Sequence, residues 1–430
     1  MCGVGLTAED PYARAEAEYR EQLRQTPGDW QLRVGLARVI LWRGRYREAE
    51  QHFARLVAER PGDADALLGY AQAAYWWGDF REAQERYALL LKIVPDHAEA
   101  QKALMDLSIV AAPRYEISTS HLDDSQPYDV TTGRVMASFF SDPLTRWDLR
   151  ALAGEVAGGE NSLRSFGGGI SAGIPRWRMQ AEAWLESFAF PDGEREAIGF
   201  VSLQRRVTAR SSIAATVQRE PLLATAVSVD DHATATRYAL GWRRDPEARW
   251  LAAANAYRVD YSDDNRGEGA DAWLVAPLFR RGGFVFRGGL SAAWRDTELN
   301  QFVFTTFESR QVAEGSWQYT YTGVYDPYWT PHALREGRLI LVAEWPRIKL
   351  HADGGYARDR AIGYGPSTGA TPNPTFIFPH MQERSWKPWR VSVEGRLPLG
   401  SRIELRTLYR RDVTVFYRAN AFEASLVGRL

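Results

Sequence analysis

From Pro113 to Leu430 the sequence alternates apolar and polar residues with a period of two, segment after segment. In residues 401–411, SRIELRTLYRR, one side carries Ile403, Leu405, Thr407 and Tyr409, and the other Arg402, Glu404, Arg406, Leu408 and Arg410. Successive side chains of a β-strand point to opposite faces, so this strand shows one oily face and one wet face. A soluble sandwich turns the oily face to a packed core. A membrane barrel turns it outward to lipid and lines a lumen with the charged face.

Several of these segments run to about ten residues or more, the length a tilted membrane-spanning strand needs. The alternating segments include the pattern around Trp177 to Glu186, that from Phe284 to Arg295, Ser316 to Thr322, Ile348 to Tyr356, and Arg390 to Leu397. About sixteen are expected over residues 114–430, enough for a closed antiparallel transmembrane β-barrel with an aqueous interior. Short turns are expected at residues 174–176 and 281–283, and longer loops at 221–231, 260–269 and 363–379. Trp177, Phe188, Trp294, Trp345, Tyr356, Trp386 and Trp389 lie near strand ends, where interfacial aromatic girdles sit. The ending FEASLVGRL puts Phe422, Ala424, Leu426, Gly428 and Leu430 on one face and resembles the terminal strand of outer-membrane barrels, although those most often end in Phe or Trp. Composition agrees with this reading. Aromatics make up 12% of the chain, yet the mean hydropathy is negative, and no run of 18 apolar residues offers a transmembrane helix. A soluble β-sandwich or propeller behind a repeat scaffold is the alternative.

Before Pro113 the period is different. RGRYREAEQHFARLVAERPGD (residues 43–63) aligns with WGDFREAQERYALLLKIVPDH (77–97) at an offset that pairs Gly44 with Gly78, Ala49 with Ala83, Phe53 with Tyr87, Leu56 with Leu90 and Pro61 with Pro95. A period of about 34 residues with small, aromatic and proline steps resembles the tetratricopeptide repeat, a helical hairpin that stacks into an α-solenoid. Ala15 and Tyr19 fit the second helix of a preceding repeat, and residues 98–110 a closing helix. The expected organisation is an extension (1–11), a repeat domain (12–110) and a barrel (114–430). Trp42 and Trp76 occupy equivalent positions with Trp77 adjacent. They read either as partner-binding platforms or as packing between helices.

Repeats followed by a barrel make the whole chain similar to the export porins for bacterial exopolysaccharides, of the cellulose synthase and poly-N-acetylglucosamine porin types, and to the YaiO-type outer-membrane barrels. The segment GVYDPYWTP (323–331) resembles a strand-end motif of the cellulose-type barrels. The resemblance implies a passive conduit in the outer membrane, in contact with lipid, passing an exopolysaccharide while periplasmic repeats dock a periplasmic or inner-membrane synthesis protein. It also implies a role in biofilm polysaccharide export. The chain carries fewer repeats than those exporters. The expected lumen face holds Arg390, Glu394, Arg396, Arg402, Glu404, Arg406 and Arg410, with Lys349, His351 and Asp353, and Arg287 and Arg295. Its charges read either as a basic lining that attracts anionic solute or as Arg–Glu pairs that brace the interior. The alternative function is an outer-membrane anchored scaffold or assembly protein with a plugged barrel.

Catalytic chemistry has no sequence support. The seven histidines are scattered, without HExxH, GxSxG or CxxC, and His351 on the lumen face reads as solvated. No Gly-rich loop matches a phosphate-binding pattern, and with 53 basic against 54 acidic residues nothing points to nucleic acid. Only four of the basic residues are lysines, an arginine bias that genome composition would also produce. No cofactor and no metal are expected. The acidic stretch YSDDNRGEGAD (261–271) could ligate Ca²⁺ but reads as a solvated loop. A single cysteine, Cys2, excludes an intrachain disulfide and reads as an ordinary thiol or the remnant of a lipid-acylation site. The opening MCGVGLTAEDPYAR lacks a basic then apolar segment, so a secretory signal is expected outside this sequence.

Overall fold

The computed structural model describes residues 11–125, 129–156, 161–208, 210–244, 250–313, 316–366, 377–414 and 418–430. Cys2 lies outside them. The chain divides into two compact units, one mainly helical and one made of strands.

Six helices form the first: α1 (Pro11–Gln25), α2 (Trp30–Trp42), α3 (Tyr46–Glu59), α4 (Ala64–Trp77), α5 (Phe80–Ile93) and α6 (Ala98–Val110). Asp29, Asp63 and Asp79 cap α2, α4 and α5 by accepting from the backbone N–H three residues on, and His97 caps α6 through Nδ1. Gly78 ends α4 at φ +90°, a left-handed turn that an L side chain adopts only with strain. The repeat's packing follows one rule. The ring of Tyr19 lies against Gly35, and the ring of Phe53 against Gly69, so closely that a Cβ on either glycine would come within 2.6 and 2.2 Å of ring carbons. Glycine lets the aromatic of one repeat sink into the helix of the next.

The buried charges of this unit are paired. Glu16 is 1% exposed and is held by Arg20, Arg43 and Arg45. Burial pushes its carboxyl up, but the hydrogen bonds from Arg43 and Arg45 and the charge of Arg20 outweigh it and hold it below the usual carboxylate range. Arg86, also buried, reaches Glu50 at 2.9 Å and lies over the Tyr70 ring at 3.6 Å.

In the second unit β1 (Arg114–Asp124), β2 (Asp129–Asp142), β3 (Thr145–Val156), β4 (Asn161–Ile174), β5 (Met179–Ala189), β6 (Arg195–Thr208), β7 (Ser211–Pro221), β8 (Thr234–Arg244), β9 (Leu251–Tyr261), β10 (Arg266–Arg281) and β11 (Phe284–Thr297) pair in chain order. The next two, β12 (Phe302–Ala313) and β13 (Ser316–Tyr325), pair only with each other, so the alternating segment around Trp317 is no part of the wall. Then β14 (His332–Glu344) returns to β11 and continues through β15 (Ile348–Pro366), β16 (Ile377–Trp386), β17 (Trp389–Pro398), β18 (Ile403–Val413) and β19 (Arg418–Arg429). Residues 348–354 of β15 pair with β17, while residues 357–366 pair with β16. Finally β19 pairs with β1, Arg114 opposite Arg429, and the wall closes as a sixteen-strand antiparallel barrel with β16 as an extra strand.

Register fixes the faces. Leu274 stands opposite Leu290, and Leu290 opposite Leu339; these point outward, with Leu290 61% exposed. Leu185, Leu240 and Phe166 are exposed likewise. Alternate residues point inward and carry the charges. An oily band outside and charges inside make this a membrane-spanning barrel rather than a sandwich around a core.

The termini of the barrel share one end with the turns 143–144, 175–178, 282–283, 345–347 and 399–402, which link successive strands there. The longer connections, 190–194, 222–233 and 298–331, lie at the other end. Expected loop 221–231 is present and contains α7 (Ala226–Asp230). Expected loop 260–269 shrinks to the turn 262–265, because Arg266 onward pairs with β9 and β11. Loop 363–379 falls mostly outside the described residues.

Candidate functional site: the charged lumen face and the long-loop end

The strand 403–413 behaves as its alternation implies. On β18 Tyr409 lies opposite Val393 and Phe422 on the outward face, while Arg406 and Arg410 share the inward face with Arg396 and Ser392. The inward face is laced by ion pairs. Arg410 and Arg390 meet at Asp412, Arg406 Nε lies 2.6 Å from Glu404, Lys349 Nζ 3.2 Å from Glu394, and Arg287 pairs with Glu344. His351 Nε2 sits 3.0 Å from Asp353, which also binds Arg338, itself 2.6 Å from Glu336. A second cluster on the far wall joins Arg150, Ser165 and Trp184 to the buried Glu186. Among the described residues, Arg295, Arg396 and Arg402 form no such pair. Arg–carboxylate bracing therefore accounts for most of the expected lumen charges. Sequence reading misses Glu336, Arg338, Glu344 and Asp412, although the same alternation in residues 332–344 carries the first three.

Two aromatics expected in the outer girdle point inward instead. Phe188, 3% exposed, shares the parity of Glu186 and packs on Phe190 and Val229. Trp386 stands opposite Ala357, on the parity of Asp353, and lines an interior cavity. Trp177, Trp294, Trp345, Tyr356 and Trp389 are exposed.

At the long-loop end the segment containing DPYWTP ties three connections together. The Thr225 hydroxyl donates to Asp326 at 2.8 Å, and Tyr328 stacks on Tyr261 at 4.1 Å. The Tyr328 hydroxyl donates to Asp263 at 2.7 Å, and the Gln301 amide to the same carboxylate at 2.8 Å. Burial and the hydrogen bond to Asp263 push the Tyr328 hydroxyl well above the usual phenol range. The acidic 261–271 stretch thus fastens a loop, and β10 takes up its second half. A different group has the spacing of metal ligands: Asp192 and Glu194 flank His232, at 2.9 Å from Nε2 and 3.2 Å from Nδ1. No motif connects these residues in sequence.

In the helical unit Trp42 and Trp76 are 56% and 59% exposed and lie outside its core, Trp42 resting beside the Tyr12 ring of α1 at 5.8 Å. Trp77 is half-buried, with the Arg47 guanidinium 5.4 Å from its ring. The Trp30 indole N–H donates to Asp63 at 2.9 Å across successive repeats.

Comparison with known proteins agrees with this division. A family model for the tetratricopeptide repeat matches residues 6–61 and 41–107, and α1–α6 are such repeats. No curated protein matches the chain. Among solved structures, one described as a bacterial polysaccharide outer membrane secretin covers 75% of this chain and 99% of its own, with TM-score 0.54 and 12% identity. Pseudomonas aeruginosa OccK5 (OpdH) covers 74% and 98% at 8% identity and TM-score 0.38. The Arabidopsis OM64 TPR domain covers 22% and 78% at 18% identity and TM-score 0.21. The first of these likenesses shows that the barrel fold is shared; the chain consists of tetratricopeptide repeats followed by a sixteen-strand β-barrel of the kind seen in that secretin.

Proposed function

We propose that the protein is an outer-membrane conduit for an exopolysaccharide, with the repeats in the periplasm docking a synthesis or modifying protein. The observation that carries this is the closed wall with an oily exterior and an ion-paired, hydrophilic interior, joined to a repeat module whose Trp42 and Trp76 stand free of its core. In barrels of this kind the short turns and both termini face the periplasm, which would put the repeats on that side. The likeness to a polysaccharide secretin supports a polysaccharide as cargo. The reading is of a passive pathway without catalysis, since His351 and Asp353 are engaged in an ion-pair ladder rather than set beside a nucleophile.

Single-channel recording of the purified chain in a planar bilayer tests it. A steady conductance that soluble oligosaccharides interrupt supports the conduit. A folded barrel, shown by heat-modifiable migration, that carries no current defeats it. That second outcome would favour the anchored scaffold, for which one observation speaks: the 298–331 insertion is fastened to Asp263 and Thr225 on two other loops.

A further inference from the structure

Inside the wall, toward the long-loop end, lies a cavity of about 130 Å³ between β11, β14, β17 and β18. Arg295, Trp329, Arg338, Trp386, Arg390 and Asp412 line it.

Its three guanidinium groups are not equivalent. Arg338 is paired with Glu336 and Asp353, and Arg390 with Asp412, a carboxylate it shares with Arg410. Among the described residues Arg295 has no carboxylate. Its guanidinium lies 5.4 Å from the Trp329 ring centroid, and its Nε is buried with no hydrogen-bond partner. Trp329 Nε1 is buried and unpartnered as well. Two adjacent buried donors, one of them charged, are costly to leave unmade, and buried polar groups in folded proteins are nearly always satisfied. Both of these atoms are closed off by protein, so what the cavity offers an anion is the remainder of the Arg295 guanidinium, which carries a charge with no carboxylate beside it.

We propose that this cavity is a subsite for a carboxylate-bearing pyranose, a uronic-acid unit of a glycan, with Arg295 as the carboxylate's partner. The proposal rests on the conduit reading and adds the class of sugar. The planar guanidinium matches a carboxylate in a two-point hydrogen bond. The indoles of Trp329 and Trp386 offer apolar walls to a ring, and each also has a polar edge. The Arg338–Glu336 and Arg390–Asp412 pairs present donors and acceptors together, as ring hydroxyls require. A neutral sugar would leave the Arg295 charge uncompensated. A small inorganic anion would leave the indole walls unused.

Calorimetric titration of the full chain in detergent tests this, using a trigalacturonate and the same trimer with its carboxylates reduced to alcohols. The acidic trimer is expected to bind at least about tenfold more tightly, as a charge-assisted bond to the guanidinium implies. Arg295→Gln removes that preference, Arg295→Lys restores part of it, and Trp329→Ala, which takes away one wall of the cavity, weakens both trimers. Heat-modifiable migration checks that each variant is folded. Equal binding of the two trimers, or a preference that survives Arg295→Gln, overturns the proposal, and so does inorganic sulfate that displaces the acidic trimer at equal concentration. Conductance of the same preparations separates the two readings. Arg295-dependent binding in a silent barrel removes the conduit and keeps the subsite, whereas current without discrimination does the reverse.

Discussion

The Tyr328 hydroxyl donates to the Asp263 carboxylate at 2.7 Å, joining the segment before β14 to the turn between β9 and β10. The bond is half-buried and its acceptor is charged, which places its worth at about 1.5–3 kcal/mol. Tyr328→Phe should keep the stacking on Tyr261 and lose the bond, releasing the 298–331 connection while leaving the wall closed. Limited proteolysis of the folded barrel should then cut within that connection sooner than in the parent. Because the folded-state hydroxyl titrates above the unfolded one, its contribution is complete below the ordinary phenol range, about 10, and is lost as pH rises through the folded value. Proteolytic sensitivity of the parent should therefore increase only in strong alkali.

Glu16 gives the opposite dependence. Its folded carboxyl is held below the ordinary range, so its contribution is present above about pH 4.3 and disappears as pH falls through the folded value. Glu16→Gln should cost about 1–3 kcal/mol, since it removes the buried carboxylate that Arg20, Arg43 and Arg45 share, while Arg45 keeps Glu48. Hydrogen exchange of α1 and α2 should be faster in the variant at neutral pH and converge with the parent in acid.

Gly69→Ala should destabilise the repeats by about 1–3 kcal/mol, because the new methyl meets the Phe53 ring. Combining it with Phe53→Leu should recover part of that loss. Gly62→Ala, with nothing within 4 Å, should leave the melting curve unchanged or slightly raised. Equal effects at the two positions would remove the close-packing account of the repeat.

Leu290→Arg places a charge in the middle of the outward band and should cost about 2–4 kcal/mol in a bilayer. Ser291→Gln, one residue on and pointing inward, should be tolerated. Urea titrations in vesicles, followed by heat-modifiable migration, measure both. Were the charged variant as stable as the parent, the faces would have been assigned the wrong way round.

Alternation is enough to read the faces from sequence, since a period of two fixes parity and charge fixes which parity is wet. The 34-residue repeat is legible for the same reason, as a local and recurring constraint. Parity says nothing about what happens where the wall meets its loops. There Phe188 and Trp386, which lie near strand ends as girdle residues do, turn inward; Phe188 is covered by Val229 from another connection. Nor does local alternation name a strand's partner, and so the segment from Ser316 reads like wall yet pairs only within its own hairpin. The knot of Asp263, Gln301 and Tyr328 draws on residues far apart in sequence, and so does the cluster of Asp192, Glu194 and His232. Short-range pattern cannot anticipate either. Large aromatics usually bury, which argues from sequence for packing at Trp42 and Trp76; the structure exposes both, because the glycine and alanine positions leave the repeat core to Tyr19, Phe53 and Tyr87.

The closure of β1 on β19 also bears on how the protein is made. Arg114 meets Arg429 only after nearly the whole barrel sequence has been synthesised, whereas the repeats pack helix against neighbouring helix. The amino-terminal half-solenoid can thus settle as soon as it emerges, while the strands behind it wait as an open, oily ribbon with two unpaired margins. A chain that stops before Arg418 would keep those margins for good. Loss of the last dozen residues is therefore expected to yield aggregate or degraded protein rather than a smaller pore.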